Sequence, residues 1–311
     1  MDVFRHLRDL PSLRHTAVTV GNFDGVHVGH QQVIAQTVRR ASELGGKALG
    51  LTFVPHPVRV IAPGHEPARL TPIEQKLELM SQAGLDLTLV LHFDRRLAAM
   101  PAVQFAEDVL HRATGAGSII VGRGFRFGQG RQGDVSLLAE VGRRRGFEVE
   151  PMGPILVGGE VVSSSRIRSA LIGGQVELAA RLLGRPYQVS GVVVRGDRRG
   201  RTIGFPTANL GGLRVLLPGR GVYACWVEVL GERRMAAVNI GDRPTFGRGR
   251  SVEAFLLDFS GDLYGRKLTI SFVSQLRSDQ KFPDVAELIR QIKANVGQTR
   301  KILSCPAPFG P

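Results

Sequence analysis

Strands and helices alternate along the first part of this 311-residue chain, and that rhythm stops near Tyr187. The apolar segments 17–20 and 48–53 predict strands, and the segment 31–44 between them predicts a helix. Alternation of this kind favours a parallel sheet with helices on both faces, which binds ligands at the carboxyl ends of its strands. We therefore expect an α/β domain, which we place at residues 1–185.

The residues after Tyr187 predict strands that are separated by turns rather than by helices. The predicted strands are 188–194, 222–230, 234–240, 252–259 and 268–276. Such a pattern indicates an antiparallel sheet or a small barrel. A helix predicted over 285–296 closes this second domain, which we place at 186–300, and we expect residues 301–311 to form a disordered tail.

The net charge is strongly positive, with 41 Lys and Arg against 27 Asp and Glu, a formal charge of +14. A surface of this kind attracts anions such as nucleotides, nucleic acid or acidic lipid. The basic residues are dispersed, which is also consistent with an ordinary solvated surface. Aromatic residues are only 6% of the chain, so a nucleic-acid-binding protein with stacking platforms is a weaker alternative.

Two further features bear on the compartment. No apolar run approaches about 20 residues, and the first residues lack the apolar core of a secretory signal, so we expect no membrane span and no signal peptide. The two cysteines, Cys225 and Cys305, are far apart and predict neither a disulfide framework nor a zinc site. A cytoplasmic protein is the expectation.

Two histidines, His27 and His30, lie where the first strand gives way to a helix, which we expect to begin near His30 after a strand that ends near Gly21. A helix N-terminus offers unpaired N–H groups and a partial positive charge, which suit a phosphate. Each imidazole can donate a hydrogen bond to a phosphoryl oxygen, as transfer at phosphorus requires. A metal pair and a structural pair are the alternatives, although no third ligand is evident nearby.

Two other helix starts carry a distinctive pattern. The segment 162–171 places three consecutive serines and two arginines where a helix begins, and hydroxyls, helix N–H groups and guanidinium groups together can clamp phosphate. A plain N-cap with solvated arginines is the alternative there. In the segment 71–80, Thr71 and Glu74 predict an N-cap and a capping box, with Pro72 at the first helical position.

A glycine-rich, basic segment at 196–210 is followed by extended residues, and it contains no Walker A pattern. Thr207 and Asn209 alternate along a strand, so their oxygens point the same way and suit Mg²⁺, although this stretch could also be a turn. On the later segment 252–259, Glu253 is a single carboxylate on an otherwise apolar face. It is a candidate general base, and an edge-strand glutamate in water is the alternative.

The HxGH pattern at 27–30 together with SSSxIR at 163–168 resembles the nucleotidyltransferase superfamily, which transfers a nucleoside monophosphate from ATP. The resemblance implies that His27 and His30 contact the reacting phosphates. It also implies that Ser164, Ser165 and Arg168 hold the β/γ end of ATP.

The stretches GNFDGVHVGHQ, TFVPHP and GFRFGQGRQGD resemble the FAD-forming module of bacterial bifunctional riboflavin kinase/FAD synthetases. This resemblance implies further ATP contacts, at Gly21, Asn22, Phe23 and Gly29. It implies FMN contacts at Phe53, His56, Pro57, Phe125 and Phe127, although each phenylalanine could equally be a core residue. Gly124 departs from the family, which usually has an acidic or amide residue there, so we expect adenylylation that is weaker than the kinase activity, or that uses different metal contacts. Ser165 replaces the more usual threonine and keeps the hydroxyl.

The stretches GFPTAN, NIGDRPTF, VEAFLLDF and DLYGRKL resemble the riboflavin kinase module of the same enzymes. The resemblance implies a six-stranded antiparallel β-barrel with a closing helix, behind a Rossmann-like nucleotidyltransferase domain. It implies that Thr207 and Asn209 hold MgATP and that Glu253 accepts the proton of the riboflavin 5′-hydroxyl. Further ATP contacts are then expected at Gly196, Arg201 and Gly204, and Asp279 stands where glutamate is commoner.

We therefore expect a two-step enzyme that uses ATP, riboflavin and FMN, with Mg²⁺ in both steps. Its C-terminal domain phosphorylates riboflavin to FMN, and its N-terminal domain adenylylates FMN to FAD with release of pyrophosphate. We expect neither nucleic acid nor a membrane as a partner, and weak homo-oligomerisation is left open. The alternatives are a nucleotidyltransferase for another phosphorylated cofactor, an ATP-dependent ligase, a basic nucleic-acid-binding protein, and a flavin sensor with an inactive N-terminal site. The absence of a KMSKS-like loop argues against the ligase.

Overall fold

A computed structural model of the chain describes residues 1–196, 200, 203–242 and 250–305. It divides into two compact units, Met1–Val162 and Ser163–Pro311. The helical segment after Val162 thus groups with the second unit, and the domain bounds at residues 185 and 186 stay a prediction. The predicted ATP contact at Arg201 lies outside the described residues.

The first unit is built on a six-stranded parallel sheet, as the strand–helix rhythm predicts. Its strands are β1 Asp2–Phe4, β2 Thr16–Val20, β3 Ala48–Val54, β4 Leu87–His92, β5 Ala116–Gly122 and β6 Glu148–Met152, in the order β1-β4-β3-β2-β5-β6. The chain leaves β2 towards β3 on one side and later returns to β5 on the other. The carboxyl end of β2 therefore lies at the point where the strand order reverses, which is where such sheets bind ligands.

Helices cover both faces of this sheet. They are α1 Val28–Leu44, α2 Pro57–Ile61, α3 Ile73–Gln82, α4 Arg95–Ala98, α5 Ala102–Gln104 and α6 Val135–Arg145, and α5 runs on into a π-helix over Phe105–Arg112. Short 3-10 turns cover Leu7–Asp9 and Gln129–Arg131, and a small hairpin pairs β7 Leu156–Val157 with β8 Glu160–Val161. All of β2 is buried, and its residues alternate between two apolar clusters, with Ala17 in one and Val18 in the other. Burial on both faces explains why the strand reads as a continuous run of β-branched and small residues.

Two helix starts differ from the sequence prediction. Helix α1 begins at Val28 with His27 as its N-cap, not near His30, because the His27 ring accepts the hydrogen bond that caps the helix. The predicted cap of α3 is wrong, since the N-cap is Pro72 without a side-chain hydrogen bond. Thr71 is instead buried, and its N–H donates to the carboxylate of Asp24 over 3.2 Å, a long-range contact with no local signal.

The second unit contains a closed antiparallel barrel, preceded by helices α7 Ser164–Ile172 and α8 Val176–Leu183. The barrel strands are β9 Tyr187–Val194, β10 Ala208–Gly211, β11 Gly221–Val229, β12 Glu232–Asp242, β13 Arg250–Leu256 and β14 Lys267–Ser278, closed in the order β10-β13-β12-β11-β14-β9. This confirms the six-stranded barrel. Alternate residues of β13, including Val252 and Ala254, are fully buried, whereas Glu253 between them is half-buried.

The closing helix α9, Val285–Ser304, is longer than predicted. Its buried residues Asn295, Thr299 and Leu303 recur every four positions, so its packed stripe continues past residue 296. The expectation of disorder is therefore wrong for residues 301–304, and residues 306–311 lie outside the described part of the chain. Among the described residues, no helix combines the length and the apolar character needed to cross a bilayer.

Candidate active sites

The two histidines of the first unit form a stacked pair at the start of α1. Their ring centroids are 3.6 Å apart with an interplanar angle of 15°, and Nδ1 of His27 accepts from the N–H of His30 over 3.3 Å. Gly29 permits this stacking, because a Cβ at that position would lie 3.2 Å from Cε1 and Nδ1 of His27. The structure therefore brings the two predicted imidazoles together and shows why residue 29 is a glycine.

Electrostatics keep one member of the pair neutral. Burial lowers the pKa of His30 well below its ordinary value, and the nearby charges of His27 and Lys76 lower it further. Nδ1 of His30 is buried and has no hydrogen-bond partner among the described residues. A neutral imidazole has a single N–H to donate, which defines one direction for a phosphate contact.

The loop between β2 and α1 is fixed by a set of contacts that the sequence did not reveal. The carbonyl oxygen of Asn22 accepts from Nζ of Lys76 over 2.6 Å and from the hydroxyl of Thr52 over 3.3 Å. The side-chain amide of Asn22 lies 3.2 Å from Nε2 of His56. In the sequence, the burial of Lys76 is indicated by no more than its spacing of four residues from the apolar Met80, with which it shares the buried face of α3.

A cavity of about 800 Å³ opens at the carboxyl edge of the parallel sheet. Its lining comes from the ends of β2 to β5, and it includes Gly21, Asn22, Phe53, Pro57, Phe93, Phe105, Gly124, Phe125 and Phe127. The rings of Phe125 and Phe127 stack with centroids 5.2 Å apart, and Phe53 meets Phe93 edge-on at 5.6 Å. The space and its aromatic walls suit a flat ring system.

The predicted flavin contacts divide into two groups in this structure. Phe53, Pro57, Phe125 and Phe127 line the cavity, although Phe127 is only 6% exposed and packs with the core. The His56 ring instead caps α2 and lies against Asn22, and the predicted ATP contact Phe23 is 2% exposed within the core.

Positive charge borders this cavity through Arg95, Arg126 and Arg131. Arg126 pairs with Asp134 at 3.2 Å, and Asp134 also caps α6 by accepting from the N–H of Leu137. The hydrogen bond from Leu137 and the charge of Arg126 lower the pKa of Asp134. The cavity wall formed by Phe125 and Arg126 is thereby linked to the N-terminus of α6.

Helix α7 of the second unit carries the predicted phosphate-holding serines. Its N-cap is Ser163, whose hydroxyl accepts from the N–H of Arg166 over 3.2 Å, so Ser164 and Ser165 lie in the first turn. Arg168 lies one turn further along and is half-buried. Hydroxyls at a helix N-terminus are suited to an anion.

The barrel brings Thr207, Asn209 and Glu253 together. Thr207 Oγ1 donates to Glu253 Oε2 over 3.4 Å, and Asn209 lies directly opposite Glu253 in the β10–β13 register. Gly196 approaches this group closely, because a Cβ there would lie 2.5 Å from Nδ2 of Asn209. Gly204, also predicted to contact ATP, is exposed with a positive φ of 86°.

A second cavity, of about 540 Å³, adjoins this group. Thr207 lines it together with Pro206, Ala254, Leu256 and the segment 259–264. Among the described residues, no three His, Cys, Asp or Glu side chains come together as a metal site.

A parallel α/β sheet with a histidine pair at its first helix, followed by a closed six-stranded barrel, defines a class of two-domain proteins in which each half has its own cavity. Comparison with known families narrows this class. Residues 9–166 match the FAD synthetase family, and residues 183–303 match the riboflavin kinase family. The chain belongs to the family of bifunctional riboflavin kinase/FMN adenylyltransferases.

Individual relatives are similar to this chain over nearly its whole length. The bifunctional riboflavin kinase/FMN adenylyltransferase of Escherichia coli K12 is 39% identical over 293 residues, covering 94% of each chain. The protein of the same name from Bacillus subtilis is 37% identical over 286 residues, covering 89% of each. A crystal structure described as a macrolide-efflux protein from Streptococcus pneumoniae has a TM-score of 0.88 at 29% identity, covering 96% of this chain and 98% of that one.

Proposed function

We propose that the second unit transfers the γ-phosphoryl group of ATP to the 5′-hydroxyl of riboflavin, and that the first unit transfers AMP from a second ATP to the FMN produced. The stacked His27–His30 pair carries the adenylylation assignment, because it lies at the start of α1, directly after the loop that supplies Gly21 and Asn22 to the aromatic cavity. The isoalloxazine ring occupies that cavity against Phe53 and Phe125.

Adenylylation needs no protein nucleophile. A phosphate oxygen of FMN attacks the α-phosphorus of ATP, the bond from that phosphorus to the bridging oxygen breaks, and pyrophosphate leaves. His27 and His30 donate to the phosphoryl oxygens as charge shifts towards the leaving group. A neutral His30 fits this role, because its one N–H can donate a hydrogen bond to a phosphoryl oxygen without the ring carrying a charge.

Phosphorylation uses Glu253 as the general base. Its carboxylate takes the proton of the riboflavin 5′-hydroxyl as that oxygen attacks the γ-phosphorus, and ADP leaves. The half-buried position of Glu253 beside Thr207 supports this role.

Mg²⁺ is proposed for both steps. In the barrel, the hydroxyl of Thr207 and the amide oxygen of Asn209 are hard oxygen donors of the kind that Mg²⁺ prefers, and ATP oxygens would complete its shell. The ion, when bound, neutralises phosphate charge, and the protein residues orient the phosphates.

Ser164, Ser165 and Arg168 are proposed to hold the β- and γ-phosphates of the ATP used for adenylylation. Replacing Ser164 with Ala should lower FAD formation from FMN by about tenfold, the value of one hydrogen bond to a charged group. FMN formation from riboflavin should not change. Ser169→Ala, at an exposed position on the same helix, is the matched control and should leave both reactions unchanged.

We also infer a cytoplasmic location, which is supported by the two free thiols, Cys225 and Cys305. The direct test of the proposed function supplies each substrate separately. Riboflavin and ATP should give FMN and ADP, whereas FMN and ATP should give FAD and pyrophosphate. Failure to release pyrophosphate with FMN would refute the adenylylation assignment.

A further inference from the structure

Lys76 is a buried cation in the first unit that the mechanism above does not use. It lies on α3, is 8% exposed, and donates from Nζ to the carbonyl oxygen of Asn22 over 2.6 Å. A buried ammonium group is costly unless it makes strong contacts, so an apolar side chain would be the less costly choice for α3 packing alone. The position therefore indicates a role beyond packing.

The titratable groups that face Lys76 come from three segments. They are the charged groups Asp24, from the loop after β2, and Arg69, from the segment before α3, together with the neutral imidazole of His30 from α1. The carboxylate of Asp24 accepts from the backbone N–H groups of Leu70 and Thr71, which fixes it close to the start of α3. Lys76 thus contacts the loop between β2 and α1 and contributes positive charge to the surroundings of His30.

Asn22 connects this lysine to the cavity. Its carbonyl oxygen is held by donors from two elements, Lys76 on α3 and Thr52 on β3, while its side chain contacts His56. Asn22 itself lines the cavity. A change in the direction of this carbonyl would move both the cavity wall and the loop that leads to His27.

We propose that Lys76 is a positioning residue for adenylyl transfer, and that its ammonium group fixes the Asn22 carbonyl and thereby the loop that leads to the histidine pair at the start of α1. The proposal rests on the proposed adenylylation of FMN by the first unit. Lys76 does not touch the substrate in this account, so its effect should fall on the rate more than on the affinity for FMN.

This role predicts a pH dependence. Burial is the main cause that lowers the pKa of Lys76 to about 8, Arg69 lowers it further, and Asp24 opposes the change. The ammonium group is present below that pH and is lost as the pH rises through it. FAD formation from FMN should therefore decline above about pH 8. Riboflavin phosphorylation depends on the barrel and not on Lys76, so it should show no decline from this cause.

The test compares Lys76→Met and Lys76→Arg with wild type in both half-reactions across this pH range. Lys76→Met should lower kcat for FAD formation about tenfold to a hundredfold, the range for a hydrogen bond from a charged group, and should abolish the alkaline decline. Lys76→Arg should keep activity and move the decline to higher pH. Lys47→Met, at an exposed lysine of the same unit that pairs with Asp86, should match wild type.

Wild-type FAD formation by a folded Lys76→Met protein, or an unchanged alkaline decline in it, would overturn the proposal. Should Lys76→Met fail to fold, shown by loss of helical circular dichroism relative to wild type, the Lys76→Arg profile decides, and a decline at the wild-type pH would overturn the proposal. If wild type itself forms no FAD from FMN, the proposed function fails rather than the role of Lys76.

Discussion

The hydroxyl of Thr207 donates to the carboxylate of Glu253 across 3.4 Å, between residues that are 46 positions apart in the chain. The closed barrel produces this contact, because β10 and β13 are neighbours and pair Asn209 directly with Glu253. A carboxylate is thereby held beside a hydroxyl group and opposite an amide, which is the arrangement that the proposed general base and the proposed Mg²⁺ ligands require.

Glu253→Gln should reduce FMN formation from riboflavin by about 10²–10⁴-fold, the usual contribution of a general base. The amide keeps the size of the side chain and an oxygen that can accept from Thr207, but it cannot take the riboflavin proton. FAD formation from supplied FMN should be unchanged. Glu228→Gln, at an exposed position on β11, is the control. If Glu253→Gln formed FMN at the wild-type rate, Glu253 would not be the general base.

The stability of the protein should depend on His30 in acid. Burial lowers the folded pKa of His30 below the unfolded value of about 6.5, so the unfolded chain binds more protons as the pH falls. The free energy of unfolding should therefore decrease below that pH, by at most about 1.4 kcal/mol per pH unit.

Urea unfolding followed by circular dichroism, compared between neutral and mildly acidic buffer, measures this effect. Wild type should lose more stability in acid than His30→Asn does, because the variant lacks the buried imidazole. The exposed residue His65 provides the control variant His65→Asn, which should behave as wild type. Equal losses in wild type and His30→Asn would contradict the burial argument.

Gly29→Ala should lower the rate of FAD formation without lowering the stability of α1. Alanine favours a helix over glycine by up to about 1 kcal/mol, so the start of α1 should not be weakened. The new Cβ would lie 3.2 Å from the ring of His27 and should displace the stacked imidazole, lowering FAD formation about tenfold or more. Gly153→Ala, where a Cβ meets nothing within 4 Å, should have no effect. Full adenylylation by Gly29→Ala would show that the stacking is dispensable.

Gly124 lines the aromatic cavity, and the resemblance noted in the sequence leads us to expect an acidic or amide side chain at that position. A Cβ there would meet nothing within 4 Å, so a larger side chain can be accommodated. Gly124→Asn should raise kcat/KM for FMN adenylylation by about tenfold if it restores one polar contact. The rates of both half-reactions in this variant test the point, and an unchanged value would mean that Gly124 does not limit the reaction.

Much of the architecture could be predicted, because each element carries its own periodicity. The alternation of strand and helix predicted the parallel sheet, and the resemblance to the riboflavin kinase module predicted the six-stranded barrel that brings Thr207 to Glu253. The pairing of His27 with His30 could also be predicted in part, since the side chain of an N-cap residue typically lies beside the third residue of the helix that it caps.

The supporting contacts could not be predicted, because they join residues that are distant in sequence. Asp24 accepts from Thr71, 47 positions away, and Lys76 donates to Asn22, 54 positions away. A lysine on an amphipathic helix is ordinarily solvated, so only the packing of α3 reveals that this one is buried. The short strand β1 escaped prediction for a related reason, since its place depends on the neighbouring strand β4.

The most direct test of two separate phosphate sites is a mixing experiment with riboflavin, ATP and Mg²⁺, in which FMN and FAD are resolved by chromatography over time. Glu253→Gln alone should form neither product, and His30→Asn alone should accumulate FMN without FAD. A mixture of the two variants should form FAD, because each supplies the site that the other lacks. FMN formation at the wild-type rate by Glu253→Gln, or FAD formation at the wild-type rate by His30→Asn, would contradict the account.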